Sequence, residues 1–100
     1  MAKLTFTEKE IATEFKTEIA EMGGEIFYCP HNGMSAVILP NDKMNGFVRV
    51  YVAYCSPNDK FSKKRARLIL QERAYNDNYI LFPVYGQKYD FVANWVFGIQ

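Results

Sequence analysis

The apolar positions of the chain fall into two rhythms. Over residues 7–22, Ile11, Phe15, Ile19 and Met22 recur at three- and four-residue spacing, which places them on one face of a helix. Thr7 and Glu10 have the spacing of a capping box, and Phe6 and Ile11 that of a hydrophobic staple, so a helix is predicted to begin at 7. Gly23-Gly24 ends it, because glycine enters the left-handed conformation without a Cβ clash. From there the rhythm shortens. "EIFYCPH" and "MSAVILP" flank Asn32-Gly33, the dipeptide suited to a type I′ turn, and predict a hairpin. Pro30 has no amide for a ladder, which assigns the first of these strands to a sheet edge. After the loop-like "PNDKMNG" (40–46), the β-branched and aromatic run "FVRVYVAYC" (47–55) predicts a central strand.

"SPNDK" (56–60) breaks that run, and Ser62 then serves as N-cap of a second helix over about 62–75. Its inner face is Ala66, Ile69, Leu70 and Ala74, and "YNDN" (75–78) stops it. "YILFPVY" and "YDFVANWVFGIQ", separated by "GQK", are read as two further strands, the first weakened by Pro83. A helical reading of the last segment stays open, because Phe91, Trp95 and Ile99 are four apart. The expectation is one α+β domain spanning 1–100, in the order α-β-β-β-α-β-β. Two helices would pack on one face of a small, mainly antiparallel sheet.

Composition agrees with a folded core. Of the 100 residues, 49% are hydrophobic and 16% aromatic, which excludes a disordered chain. Twelve Lys+Arg against eleven Asp+Glu leave a formal charge of +1, so no dedicated basic nucleic-acid module is implied by the total. Any electrostatic function must come from how the charge is distributed. "MAKLTFTEKE" lacks the apolar run of a signal peptide, and no stretch has the 18 or so apolar residues of a membrane span. A cytoplasmic protein with no membrane partner is expected.

Few parts for catalysis are present. His31 is the only histidine, at a hairpin tip, and a Cys29–His31 pair has no orienting third group. Cys55 has no base placed for it. Two cysteines and one histidine fall short of a four-ligand zinc set. Neither cysteine belongs to a Cys-x-x-Cys pair, and both lie in apolar runs, where a thiol behaves as a small hydrophobe. No enzyme, metal or cofactor is expected. Glu10, Glu14, Glu18 and Glu21 form an acidic stripe beside the apolar face of the first helix, the pattern of a solvated flank.

The candidate site is basic. Lys60, Lys63, Lys64, Arg65, Arg67 and Arg73 lie within fourteen residues, and Lys63, Lys64 and Arg67 can share one side of a helix's first turn. A helix N-terminus attracts anions, whereas cations placed there are mildly destabilising, by roughly 0.3–1 kcal/mol each. Cations in this position therefore point either to an external anion or to a pairing with the acidic helix.

"SKKRAR" at a helix start, after one helix and three strands, resembles the double-stranded RNA-binding domain over residues 7–75. The resemblance implies phosphate contacts by Lys63, Lys64 and Arg67, with Ala66 packed inward. "CPH" (29–31) is similar to that family's Pro-x-His loop and implies a loop contact by His31. The glutamate stripe would be repelled by phosphate in that mode, and 25 further residues follow the matched region. In its size and its Asn/Tyr/Lys-rich style, the chain also resembles small phage-encoded accessory proteins that inhibit host machinery.

Two functions follow. The first is a non-enzymatic protein-binding module, an inhibitor or accessory factor, using Lys60, Lys63, Lys64, Arg65 and Arg67 with Leu68 and Tyr75, which point away from the inner face of the second helix. The alternative is backbone binding of double-stranded RNA or DNA through the same basic block. The near-neutral charge and the acidic first helix favour the first.

Overall fold

A computed structural model describes residues 4–41, 46–56, 60–84 and 88–98. Helix α1 (Phe6–Glu21) starts one residue before the predicted 7, and its N-cap lies two residues before the predicted Thr7. Thr5 is its N-cap: the Glu8 amide donates to Thr5 Oγ1 at 3.1 Å and the Thr5 amide donates to Glu8 Oε1 at 2.8 Å. Thr7/Glu10 and Thr5/Glu8 satisfy the same pattern, and the earlier pair adds two residues to the helix. The predicted staple is lost with that shift, since Phe6 becomes the first helical residue and is exposed. The buried face is Ala12, Phe15 and Ile19, while Ile11 and Met22 lie outside it. At the other end Gly23 takes φ +79°, and the amides of Gly23 and Gly24 donate to the carbonyls of Ala20 and Ile19, a Schellman closure.

Strands β1 (Glu25–Cys29), β2 (Met34–Pro40), β3 (Phe47–Tyr54) and β4 (Ile80–Pro83) form one antiparallel sheet in the order β1-β2-β3-β4. The hairpin between β1 and β2 is present, with a different turn from the one predicted. Asn32 N donates to Cys29 O and Gly33 N to Pro30 O, and only Gly33 in the turn has positive φ. A type I′ turn needs Asn32 in the left-handed region too. Pro30, with φ fixed near −65°, instead favours a right-handed turn of four residues that closes at Gly33. Pro30 thus sits in the turn, and β1 is an edge strand, as expected.

Alternation along the strands divides the core in two. Val37, Leu39, Tyr51 and Ala53 face α1 and helix α2 (Lys63–Tyr75), where they meet Phe15, Ile19 and Leu70. Ala36, Ile38, Val48 and Val50 face the other way, against Val92, Ala93 and Phe97 of helix α3 (Tyr89–Phe97). The α+β class and the pair of helices on one face hold; the last segment, read as a strand, is the helix α3. The reason is the strand "MSAVILP": six of its seven residues are buried, so both faces of β2 need cover, and α3 supplies it for the second face. The expected four-residue stripe does not make that contact, because Phe91 and Trp95 are exposed. Ile99, the loop interiors of 40–46 and 56–60, and most of "GQK" lie outside the described residues.

Helices α1 and α2 run side by side in the same direction. Arg67 near the start of α2 reaches the Ala12 carbonyl, whereas Ala74 and Tyr75 at its end share a groove with Ile19 and Met22. Both helix N-termini therefore meet at one end of the layer, the end that carries the 30–33 turn.

Candidate functional site: the basic end of helix two

Ser62 caps α2 as predicted, its Oγ accepting from the Arg65 amide at 3.2 Å. That cap fixes where each cation projects. Lys60 and Lys64 are exposed. Lys63 is exposed as well and places its Nζ 5.1 Å from the centre of the Tyr28 ring, a cation–π contact. Phe61 meets the same ring edge-on. Arg65 is half-buried, and its charge helps the Thr5 amide and hydroxyl to hold the Glu8 carboxyl below its ordinary pKa, the Thr5 hydrogen bonds being the larger cause.

Arg67 corrects the sequence reading. It is only 8% exposed, its Nε donates to Ala12 O at 2.9 Å, and its Nη1 donates to Tyr28 Oη at 2.9 Å. It ties α2 to α1 and β1 from inside and has no face for phosphate. Ala66 packs inward. Leu68 is half-buried, and only Tyr75 of the two projected apolar residues is exposed. Tyr75 stands at the far end of α2, beside the groove that holds Met22, away from the lysines. The structure thus gathers Lys60, Lys63, Lys64 and Arg65 and separates Arg67, Leu68 and Tyr75 from them.

His31 comes to the same end. It is exposed on the 30–33 turn, whose Gly33 carbonyl accepts from the Cys55 amide at 2.7 Å. Asn32 Nδ2 pins that turn to α3 through Phe97 O at 2.9 Å. Between turn, β3 and α2 lies a recessed pocket of about 70 Å³. Ala53, Ala66 and Ile69 give it apolar walls, Tyr54 and Arg65 border it, and Ser35 lies on its sheet side. Among the described residues, no acidic side chain lines it.

Two of these residues, Tyr54 and Ser35, were missed in the sequence, and Cys55 was weighed there only as a thiol without a base. Tyr54 is 66% exposed although it ends a central strand. Cys55 is half-buried, and its Sγ donates to the Ser56 carbonyl oxygen at 3.6 Å; Cys29 is buried. Ser35 is 1% exposed, and its Oγ has no hydrogen-bond partner. A lone hydroxyl inside "MSAVILP" was the available signal, since an apolar strand has no structural need for one.

Two other surfaces are distinctive. Trp95 of α3 is exposed and meets Phe82 of β4 edge-on at 5.3 Å, with Phe91, Ile80 and Leu81 also exposed. On the face covered by α1 and α2, Arg49 donates to Tyr51 Oη at 3.4 Å, while burial pushes the Tyr51 phenol pKa up. Among the described residues, no three His, Cys, Asp or Glu side chains gather to hold a metal ion, and no helix is long and apolar enough to cross a membrane. No family model, curated protein or solved structure matches the chain.

Proposed function

We propose that this chain is a small non-enzymatic binding domain that occupies the surface of a protein partner in the cytoplasm, as an inhibitor or accessory factor of the kind phages encode. The observation that supports this reading is the pocket beside the start of α2. Half-buried Arg65 and the exposed Tyr54 ring border a recess with apolar walls, and exposed Lys60 and Lys64 belong to the same end of the helix without lining it. Tyrosine and arginine beside an apolar pocket are the usual anchors of a protein interface, with nearby lysines steering an acidic partner. The acidic α1 stripe beside it disfavours a polyanion that runs across the whole layer.

A second reading is backbone binding of duplex RNA or DNA, favoured by the turn of His31 lying beside the start of α2. It has fewer cations than the sequence offered, because Arg67 is engaged internally. One pair of experiments separates the two. The immobilised chain and its Tyr54→Ala/Lys64→Ala/Arg65→Ala variant are compared for capture of a partner, and both are titrated with labelled duplexes at low and moderate salt. The protein reading expects a captured protein that the variant loses, together with weak duplex binding. Duplex binding that falls steeply with salt, with no protein captured, would replace it by the second reading.

A further inference from the structure

We infer that the exposed aromatic face formed by α3 and β4 is the contact of a two-fold dimer, with a second copy of this chain as its occupant. The face lies on the other side of the sheet from α1 and α2, so a dimer leaves the basic end of α2 free.

The register of β4 builds half of this face. Phe82 pairs with Val48 and Ile80 with Val50, so both side chains join the α3 side of the sheet. Helix α3 packs over β1 and β2, and its Trp95 leans toward β4 onto Phe82. Phe91 stands one turn before Trp95 on the same stripe. Phe91, Trp95 and Ile80 are 54%, 67% and 56% exposed. With Phe82 they present on the order of 400 Å² of apolar surface, a size at which a patch on a small protein is often functional. Asp90 and Asn94 lie on the other flank of α3, where they border the aromatic stripe without interrupting it.

The edge of β4 decides how the face is covered. The Val84 amide donates to Gly46 O at 2.7 Å, so by alternation the amides of Ile80 and Phe82 point to β3 and positions 81 and 83 face outward. Residue 83 is proline and has no amide, while the Tyr79 amide donates to Asp77 O at 3.2 Å. Leu81 is left as the one outward donor of β4, too little for an added strand. The occupant therefore packs by side chains across the face, as a helix does.

A second α3 matches that need. Under a two-fold axis that runs the two helices antiparallel, Trp95 of each copy meets Phe91 of the other, and Ile80 completes the contact. Lys88, exposed at the N-terminal end of α3, then lies by the carbonyl end of the other helix, where a cation is favoured. Two such patches bury roughly 800 Å² of apolar surface, and their polar borders bring the total to about 1,000 Å², the lower limit for a specific interface. The dimer is therefore reversible, with a dissociation constant on the order of tens of micromolar.

The test is sedimentation equilibrium of the full chain from about 5 to about 500 µM, with Trp95 emission read over the same range. Trp95 is the single tryptophan, so its emission reports this face and no other. The average mass is expected to rise from one chain toward two and stop there. In parallel, the emission should move from solvent-like in the dilute monomer to blue-shifted and shielded from acrylamide. Phe91→Lys and Ile80→Lys should each weaken self-association about ten-fold or more, whereas Tyr75→Lys, an exposed aromatic on the other side of the sheet, should leave it unchanged. Salt at about 0.5 M should leave the dimer intact. A single-chain mass at every concentration would overturn the inference and leave the face to a different apolar partner. A rise in mass with unchanged emission, growth past two chains, loss of the dimer in salt, or its persistence in both lysine variants would overturn it as well. Thermal melts establish that each variant is folded, and the wild-type emission decides the question if one is not.

Discussion

Replacing Arg67 by alanine separates a buried tie from a surface cation. The guanidinium makes two charge-assisted hydrogen bonds, to Ala12 O and Tyr28 Oη, both at 2.9 Å. Each such bond contributes about 1.5–3 kcal/mol, and the stem packs between α1 and α2. Against this, the variant no longer buries a charge, which returns part of the gain. The net expected loss is about 2–4 kcal/mol. That is a large share of the roughly 5–15 kcal/mol that holds a domain of this size, and it corresponds to a fall in melting temperature on the order of 10 °C or more. Urea unfolding followed by circular dichroism measures it, with Lys64→Ala as the exposed control expected within about 0.5 kcal/mol of wild type. A double-mutant cycle with Tyr28→Phe should return a coupling of about 1–2 kcal/mol. If Arg67→Ala cost no more than Lys64→Ala, Arg67 would be a solvent-facing cation, and the account of how α2 is fixed would be wrong.

Three further outcomes follow from the same contacts. Gly24→Ala should cost about 2–3 kcal/mol in urea unfolding, because its Cβ would stand 2.5 Å from Leu39 Cδ2 and 2.7 Å from the Ile38 carbonyl oxygen, and a backbone atom cannot yield as a side chain can. Thr5→Ala should lower the melting temperature by a few degrees at neutral pH. The Glu8 carboxyl is held below its ordinary 4.5, so its share of the capping box is complete above about pH 4.5 and is lost as pH falls through the lower folded-state value; the difference between wild type and Thr5→Ala should shrink when the melts are repeated in acid. Trp95, the single tryptophan and 67% exposed, should show solvent-like emission accessible to a soluble quencher, and a blue-shifted, shielded emission would contradict its placement.

How far the sequence reached depended on whether a local signal had one solution. Ser62, the glycine pair 23–24 and the inner face of α2 were legible because each lies in a pattern with a single structural outcome. The start of α1 was not, since two Thr-x-x-Glu pairs overlap two residues apart and only packing chooses between them. The last segment is a short, mostly apolar run, so its periodicity suits strand and helix alike. The bare second face of β2 decided for the helix, a contact between residues more than fifty positions apart. Arg67 was misread as a surface cation, although it stands three before Leu70 and seven before Ala74 on the buried stripe of its helix. Counting charge in a block hid its phase. Tyr54 and Ser35 joined the site only through the fold, because the pocket borrows from β2, β3 and α2 at once.

The central claim is that the basic end of α2 meets a protein. Site-specific photo-crosslinking tests it most directly, with Tyr54→benzoylphenylalanine at the pocket rim and Thr17→benzoylphenylalanine on the exposed side of α1 as the control. A discrete protein adduct from the Tyr54 position, absent from the Thr17 position and lost when Arg65→Ala is added, is the predicted result. Crosslinking to nucleic acid, or the same adducts from both positions, would contradict the claim.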